Sequence, residues 1–273
     1  MTGLFQIVRL APQALAAGAI ALLWIRDDVN PGHWLLMLGL AIAISSILSL
    51  VYIFRTRRIR ASPRWLPPRE LVVGARGAFV LVVGSQVIYQ LDRVVVASRM
   101  DSRSVGYYAV STAAAGACAL FGQSVGMVTF SMLRETGSAV SRARLIRRGV
   151  VTALIITGCL SLVLVVVTPT LIRYFYGPEF LPASTATRIL LVSSVPLAAD
   201  FLLVHAALSV GVARGAARIQ LLAGLLTVGL LGVATSLDNL ALVSAVSVVA
   251  YILSAALLFR LVMRSSIAQP ERS

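Results

Sequence analysis

Long apolar segments separated by short polar breaks dominate the pattern of this chain of 273 residues. Most segments reach the roughly 20 residues that an α-helix needs to cross a hydrocarbon core. Because the breaks are brief, consecutive helices are predicted to be antiparallel neighbours. The pattern therefore predicts an all-α, polytopic membrane protein with about eight transmembrane helices. The predicted spans are residues 8–25, 34–54, 71–98, 105–131, 149–172, 187–210, 219–234 and 240–260.

The longest polar break, residues 55–70, divides these spans into two groups. It is rich in Arg and contains three prolines, which cannot continue a helix. We interpret it as a cytoplasmic linker between a two-helix piece, residues 1–54, and a six-helix lobe, residues 71–263. Residues 264–273 are predicted to form a polar cytoplasmic tail.

Composition and charge support the membrane assignment and exclude one class of partner. The chain is 59% hydrophobic and only 12% charged, with a mean hydropathy of +0.92, which is too little charge for an ordinary soluble domain. A net charge of +14 is also typical of nucleic-acid-binding proteins, but all 24 basic residues are Arg and most lie in the breaks. Sixteen lie in breaks on one side of the predicted membrane and four on the other. This positive-inside bias predicts cytoplasmic termini, and we expect no nucleic-acid partner.

The sequence carries no pattern for a metal, nucleotide or redox site. Cys118 and Cys159 lie in separate spans without metal-ligand spacing, and we interpret both as small buried residues. Neither a Walker-type Gly-rich loop nor an H-E-x-x-H motif is present. A membrane-embedded enzyme would need clustered acids and His, whereas acids such as Glu179 and Asp101 are few and scattered. We therefore expect no cofactor, no metal site and no enzymatic activity.

A polar arc and an apolar stripe run along opposite sides of the third predicted span when it is drawn as a helix. The polar arc consists of Gln86, Tyr89, Gln90 and Arg93, with Asp92 at its edge. The apolar stripe consists of Gly84, Ile88, Leu91 and Val95. An Arg in hydrocarbon costs at least about 2.5 kcal/mol, so it must find a partner, a cavity or the interface. The pattern predicts that the stripe faces lipid and that the arc faces a wet cavity.

Two arginines of this span, Arg76 and Arg93, are candidates to bind the phosphates of an anionic substrate. The glutamines of the polar arc are candidates to bind it with them. Two alternatives stay open. Arg76 lies near the start of the span, so its guanidinium could reach the headgroups. Arg93 could instead form an ion pair with Asp92 or Asp101.

Two acids, Asp92 and Asp200, lie within the predicted spans. Asp200 shares a helix face with Pro196, which is predicted to kink that span and to free a backbone carbonyl. Either acid is a candidate to carry a coupling ion such as a proton. The alternative is a static ion pair that holds the bundle together.

Small residues are abundant in the fourth predicted span, where Gly122 and Gly126 form a G-x-x-x-G motif. Glycines at this spacing allow two helices to approach closely in lipid. The motif therefore predicts tight helix packing, and a substrate channel is the alternative.

Two stretches resemble polysaccharide flippases of the multidrug/oligosaccharidyl-lipid/polysaccharide exporter superfamily. LDRVVVASRMDSRSVGYYAV, residues 91–110, resembles the hairpin of that family's helices 7 and 8. LIRYFYGPEF, residues 171–180, resembles the outer segment between its helices 9 and 10. The resemblance extends over about residues 70–260.

The resemblance implies two six-helix bundles that form a V around a central cavity, which opens alternately to either side. It implies transport of isoprenoid-diphosphate-linked oligosaccharides across the cytoplasmic membrane, driven by an ion gradient. Arg76 and Arg93 would then offset the diphosphate charge, and Asp92 or Asp200 would couple transport to the ion. A lipid-linked glycan, membrane lipids and other polysaccharide-assembly proteins would be the partners.

The chain departs from this family in two respects. Members usually have twelve or more spans, so we expect an N-terminally truncated piece in which residues 1–54 are the last two helices of a first lobe. Members also often have a Pro near the end of the fourth span, where Phe130, Ser131 and Met132 stand here. Two alternative functions stay open: a structural or assembly partner of an envelope-polysaccharide synthesis complex, and a non-functional fragment.

Overall fold

Six long α-helices follow one another in the computed structural model. It describes residues 68–136 and 138–268 and the residue pairs 36–37, 39–40, 43–44 and 47–48. The helices are α1 (Pro68–Arg99), α2 (Ser102–Glu135), α3 (Ala139–Phe175), α4 (Ala183–Ser209), α5 (Ala213–Ser236) and α6 (Leu240–Ala268). A short 3-10 helix, Pro178–Phe180, lies between α3 and α4, and the described residues contain no β-strand. All six helices are long and apolar enough to cross a membrane, which makes this an all-α, multi-pass membrane protein.

The predicted number of eight spans is not confirmed, because six are observed among the described residues. The first predicted span lies outside the described residues, and only eight residues of the second are described, all of them helical. The chain divides into two units, Met1–Leu66 and Pro67–Ser273. The division into lobes, linker and tail stays a prediction.

The observed helices extend beyond the apolar segments that predicted them. α3 begins at Ala139 instead of residue 149, and α6 continues to Ala268, past the predicted start of the tail at residue 264. A hydropathy pattern marks where a helix leaves hydrocarbon, whereas backbone hydrogen bonding continues through the headgroup region. Four arginines of the predicted loop before residue 149 therefore lie on the first turns of α3, namely Arg142, Arg144, Arg147 and Arg148.

α4 is the central helix of the bundle. It packs against α2, α3 and α6, while α1 packs mainly against α5, and α5 against α6. In the most apolar part of α4, 61% of the residues are buried, compared with 17% of the residues in the most apolar part of α3. The buried residues of α4 include many Ala and Ser residues, such as Ala198, Ala199, Ala206 and Ser194. Small side chains let three neighbouring helices approach one another in lipid.

The G-x-x-x-G motif of α2 packs directly on α4. A Cβ at Gly122 would lie 2.6 Å from the Cα of Ala198, and a Cβ at Gly126 would lie 3.1 Å from the Cα of Leu202. Real Cβ atoms do not approach a backbone atom as closely as the first of these distances. The prediction of tight helix packing is confirmed.

One of the two cysteine predictions is wrong. Cys118 is buried as predicted, whereas Cys159 is exposed on α3. Most of the large side chains around it, such as Ile155, Leu162 and Val163, are also exposed. An apolar pattern shows that a residue lies in the span, but it does not tell lipid-facing from buried positions.

Asp101 begins α2 as its N-cap and provides a test of the hairpin between α1 and α2. Its carboxylate accepts hydrogen bonds from the backbone amides of Arg103 and Ser104. Hydrogen bonding from Ser104, above all from its side chain, holds the pKa of this exposed carboxyl below its usual value of 3.8. A lowered pKa means that the charged cap stabilises the fold above pH 3.8 and that this stabilisation is lost as pH falls through the lower, folded-state pKa.

We therefore expect Asp101→Ala to lower the melting temperature at neutral pH. The difference from the wild type should shrink in strongly acidic buffer. Thermal unfolding of the purified protein at several pH values measures it. Asp101→Asn serves as the control, since an amide oxygen can still cap the helix. If the melting temperatures of the wild type and Asp101→Ala differed by the same amount at all pH values, the charge of Asp101 would contribute nothing to stability.

Candidate functional site

A polar band crosses the middle of the bundle between two apolar clusters. One cluster contains Leu81 of α1, Leu203 of α4 and Leu258 of α6. The other contains Val96 of α1 and Val243 of α6. Between these positions the same helices bury polar side chains. Those of the band are Ser85, Asp92, Asp200, Ser247, Tyr251 and Ser254, and the partly buried Tyr89 lies among them. A polar layer at this depth must satisfy its hydrogen bonds within the protein.

Asp200 of α4 is the centre of the first part of the band. It is 0% exposed. Its Oδ1 accepts a hydrogen bond from the Ser254 hydroxyl at 2.6 Å. Its Oδ2 accepts from the Tyr89 hydroxyl at 2.7 Å and from the Gln220 amide nitrogen at 2.8 Å. Four helices, α1, α4, α5 and α6, therefore meet at one carboxyl group through uncharged donors. The alternative of a static ion pair does not describe these contacts.

Gln220 leaves this part of the band with an unused acceptor. Its side chain is 1% exposed, and its Oε1 has no hydrogen-bond partner among the described residues. A buried acceptor without a donor costs free energy. The hydrogen bonds around Asp200 therefore leave one buried oxygen, Gln220 Oε1, available to accept a further donor.

Asp92 of α1 is the centre of the second part. It is 6% exposed, and its Oδ2 accepts hydrogen bonds from the hydroxyls of Tyr108 at 2.7 Å and Ser247 at 3.4 Å. Its Oδ1 accepts from the backbone amide of Arg93 at 2.8 Å. The Asp92 carboxyl thus joins α1 to α2 and α6 within the bundle.

The two carboxyl groups share neighbours on α1 and α6. Ser247, Tyr251 and Ser254 are spaced by four and three residues, so they lie on one face of α6. Ser247 donates a hydrogen bond to Asp92, and Ser254 donates one to Asp200. Between them, the ring centroid of Tyr251 lies 6.2 Å from that of Tyr89. The two acids therefore belong to one connected polar layer.

The structure divides the predicted polar arc of α1 between two environments. Gln86, Gln90 and Arg93 are exposed on the outside of the bundle, whereas Tyr89 and Asp92 point inward. Their assignment to substrate binding or ion coupling stays a prediction. The exposed surface of Gln86, Gln90 and Arg93 is named the polar α1 face below.

The prediction that the apolar stripe of α1 faces lipid is wrong at Ile88. This residue is 7% exposed and packs against α5, where a Cβ at Gly224 would lie 2.9 Å from its Cγ1. Leu91 and Gly84 line a groove between the same two helices. A two-sided pattern cannot show that a helix in a bundle has three surroundings: neighbouring helices, the interior and the outside.

The two candidate arginines lie in different places. Arg76 lines the groove between α1 and α5 together with Arg214 and Arg218. Arg93 lines a smaller cleft of about 340 Å³ between α1 and α2, together with Tyr108. They therefore line two different cavities of the described residues, and their joint role in substrate binding stays a prediction. The sequence pattern had placed them together because both lie on α1.

The remaining site residues could not be identified from the sequence. Tyr108, Gln220, Ser247 and Ser254 donate hydrogen bonds to the acids, yet each belongs to a residue type that is common in membrane helices. Two signals were available: Tyr108 lies in the stretch with family resemblance, and the spacing of seven between Ser247 and Ser254 places both on one face of α6. Within the part of the chain that the structure describes, no three His, Cys, Asp or Glu side chains come close enough to hold a metal ion.

The two stretches with family resemblance contact each other. The Tyr107 hydroxyl donates a hydrogen bond to the backbone carbonyl of Glu179 at 3.0 Å, and its ring packs edge-on against Phe180. The turn within this outer segment depends on Gly177, whose φ of 93° is rarely adopted by other residues. Tyr107 therefore fixes the outer segment, while its neighbour Tyr108 binds Asp92.

Comparison with known proteins supports one family. A family model described as "polysaccharide biosynthesis protein" matches residues 7–185, which includes α1, α2, α3 and the start of α4. No curated protein and no solved structure matches the sequence.

Proposed function

Since the chain belongs to the polysaccharide biosynthesis protein family, we propose that it is a transporter that moves a lipid-linked glycan across the cytoplasmic membrane. The polar α1 face lines the path of the glycan. On this proposal the chain changes no covalent bond and needs no cofactor. Other polysaccharide-assembly proteins supply and consume the glycan.

The observation that carries this proposal is the exposure of Gln86, Gln90 and Arg93 within a membrane-length helix. Two amides and a guanidinium in contact with acyl chains would lose their hydrogen bonds to water. The exposed residues of α3, such as Leu162 and Val166, are large and apolar, as a lipid-facing surface requires. The contrast indicates that water or a polar substrate contacts the polar α1 face.

The distribution of arginines supports the orientation. The breaks that are richest in Arg join the described helices at the end where α1, α3 and α5 begin. We place this end, and both termini, in the cytoplasm. The diphosphate of a lipid-linked glycan would then meet cationic groups on the side where such lipids are loaded.

The buried acids support the coupling of transport to an ion. Asp92 and Asp200 accept hydrogen bonds from hydroxyls and amides, and these contacts involve five of the six described helices. A proton or cation that enters this layer changes contacts to most of the bundle at once. Such a site can bias two arrangements of the helices, which alternating access requires.

The test is export in a bacterial strain that lacks its own flippase for a lipid-linked glycan, with the protein expressed from its native gene. We expect Arg93→Gln to reduce export by at least about tenfold, because a charged hydrogen-bond donor in the path of the glycan is lost. The protein level in the membrane should not change, since Arg93 is exposed. Arg188→Gln is the matched control, because Arg188 is also exposed in a span and its Nε donates to the backbone carbonyl of Val165.

A second measurement tests the surroundings of the polar α1 face directly. Gln90→Cys should react with a charged, membrane-impermeant thiol reagent, whereas Ile155→Cys should not. Both variants need a Cys159→Ser background, because Cys159 is exposed. The proposal would be overturned by two results together: both cysteines are protected from the thiol reagent, and Gln86→Leu and Gln90→Leu variants export normally. These results would show that the polar α1 face contacts lipid. Export by the wild-type protein in this strain would also exclude the alternative of an assembly partner that transports nothing.

A further inference from the structure

The six described helices fall into two groups by their packing. α4 packs extensively against α2, α3 and α6, and these four helices are named the α4 group below. α1 packs mainly against α5, and these two helices are named the α1–α5 pair. The pair has limited contact with α2 and α4, so the packing of α5 against α6 is its main contact with the α4 group. The described part of the bundle therefore has an internal boundary between the pair and the α4 group.

Two glycines bring the helices of the pair close together. A Cβ at Gly77 of α1 would lie 3.1 Å from the Cγ of Arg214, and a Cβ at Gly224 of α5 would lie 2.9 Å from the Cγ1 of Ile88. These two contacts are about 16 Å apart along the pair, at the rise of an α-helix. Helices that pack closely at two separate levels keep their relative position, so the pair can move as one body.

The polar layer lies at the boundary between the pair and the α4 group. Among the described residues, five hydrogen bonds join side chains of this layer, and four of them cross the boundary. The fifth, from Ser254 to Asp200, joins α6 to α4 and stays within the α4 group. The crossing bonds run from Tyr89 and Gln220 of the pair to Asp200, and from Tyr108 and Ser247 of the α4 group to Asp92. Most of the hydrogen bonding in the layer therefore connects the two groups.

The apolar clusters on the two sides of the layer also cross the boundary, but their contacts are of another kind. Leu81 of α1 and Leu258 of α6 share one cluster, and Val96 of α1 and Val243 of α6 share the other. Apolar contacts are non-directional, so packed helices can slide along them. Hydrogen bonds require defined distances and angles. The polar layer therefore fixes the position of the pair, whereas the apolar clusters allow it to slide.

Short links join the pair to the α4 group. α1 is followed by α2 after only two residues, Met100 and Asp101. α5 is joined to α4 through Gly211, with a φ of 79°, and to α6 through Asp238, with a φ of 48°. Hinges of moving elements commonly lie at such positions between helices. Both ends of α5 thus have a link at which the direction of the chain can change.

We infer that the α1–α5 pair moves as one body against the α4 group, and that the crossing hydrogen bonds of the polar layer hold it in the observed position. The movement is a shear, in which packed helices slide past one another. The polar α1 face moves with the pair, since its residues lie on α1. This inference deepens the proposed function by naming the part of the bundle that moves. That the movement admits a glycan rests on the proposed function, whereas the movement itself does not.

Distances between spin labels, measured by pulsed electron paramagnetic resonance on the purified full chain, test the inference. Cysteines for the labels are introduced into a background of Cys118→Ala and Cys159→Ser. One pair of labels reports across the boundary, one within the α1–α5 pair and one within the α4 group. The label positions, all exposed, are in that order Phe79 with Ile155, Phe79 with Val233, and Met132 with Val166.

Matched variants separate the boundary from the layer as a whole. Tyr89→Phe with Tyr108→Phe removes two crossing hydrogen bonds and keeps both rings. We expect the distance across the boundary to shift by about 2 Å or more, while the other two distances stay the same. Ser254→Ala is the control, because it removes a hydrogen bond of the same layer that does not cross the boundary. It should leave all three distances unchanged. If the double variant does not fold, Tyr89→Phe alone should give a smaller shift in the same distance.

Three outcomes would overturn the inference and leave the proposed function standing. The first is a distance across the boundary that stays the same in folded tyrosine variants. The second is an equal shift within the α1–α5 pair, which would mean that α1 moves without α5. The third is an equal response to Ser254→Ala, which would mean that the layer holds the whole bundle together. Conversely, the expected shifts with no glycan export by the wild type would overturn the proposed function and leave the movement of the pair standing.

Discussion

Asp200→Asn is expected to reduce ion-coupled export to less than about one tenth of the wild-type rate while the protein stays folded. Asparagine has the shape of the aspartate but cannot exchange a proton and is a weaker ligand for a cation. The polar layer can adjust to it because Gln220 Oε1 has no partner among the described residues. A 180° turn of the Gln220 amide lets this oxygen accept from the new side-chain NH₂ group. The hydroxyls of Tyr89 and Ser254 remain within reach of the substituted side chain in this arrangement.

Asp200→Ala should behave differently, and the comparison separates coupling from folding. The alanine leaves three donors without their acceptor: the buried groups of Gln220 and Ser254 and the partly buried hydroxyl of Tyr89. Each unsatisfied donor costs about 1–3 kcal/mol, so the free energy of unfolding should fall by at least about 3 kcal/mol. We expect this variant to be poorly folded as well as inactive.

Transport of a fluorescent lipid-linked oligosaccharide into proteoliposomes, with and without an ion gradient, measures the first effect. Thermal unfolding measures the second. Asp238→Asn is the control, because Asp238 is exposed and its φ of 48° is one that asparagine adopts readily. Full gradient-driven transport by Asp200→Asn would show that the Asp200 network only holds the bundle together.

The helices of this protein could be predicted from the sequence, because the length of an apolar segment reflects the thickness of the hydrocarbon core. Their ends could not, since α3 already begins at Ala139 among polar residues that no hydropathy pattern assigns to a helix. The prediction that consecutive helices are neighbours describes only part of the packing, because α1 packs mainly against α5 and α2 mainly against α4. The pairing of α1 with α5 depends on Gly77 and Gly224, and single glycines of this kind occur throughout the chain.

The candidate site was predictable only for its charged members. A charge in a span is costly wherever it lies, so the charged residues are conspicuous in the sequence. They are Asp92, Asp200, Arg76 and Arg93. Their partners are hydroxyls and amides on other helices, and those residue types cost little in a membrane. Sequence reasoning therefore identified the acids but not the layer that binds them. It also joined Arg76 and Arg93 in one cavity, whereas they line two different clefts of the described residues.

The paired tyrosines of the V-G-Y-Y-A motif show how much one short pattern can contain. Successive residues of a helix point about 100° apart, so Tyr107 and Tyr108 of α2 reach different partners. One donates to Glu179 in the outer segment, and the other donates to Asp92 in the polar layer. The motif thus ties the outer segment to the buried acid through adjacent residues. Family resemblance pointed to this motif, while its physical role required the structure.

Gly122→Ala is expected to cause the largest loss of stability of any single methyl group added to α2. Its Cβ would lie 2.6 Å from the Cα of Ala198, which is a backbone atom and cannot turn away. α2 would have to separate from α4, the helix on which α3 and α6 also pack. Overpacking of this kind costs about 1–3 kcal/mol, which outweighs the roughly 0.5–1 kcal/mol that alanine gains over glycine within a helix.

Gly116→Ala provides the matched control, because the same change in the same helix meets nothing within 4 Å. It should leave the melting temperature unchanged or raise it slightly, whereas Gly122→Ala should lower it and reduce the yield of folded protein. Adding Ala198→Gly to Gly122→Ala should restore only part of the loss, since the clash with the α4 backbone remains. Equal melting temperatures for Gly116→Ala and Gly122→Ala would mean that α2 and α4 do not pack as closely as described. In that case the positions of Asp92 and Asp200, which depend on this packing, would have to be reassigned.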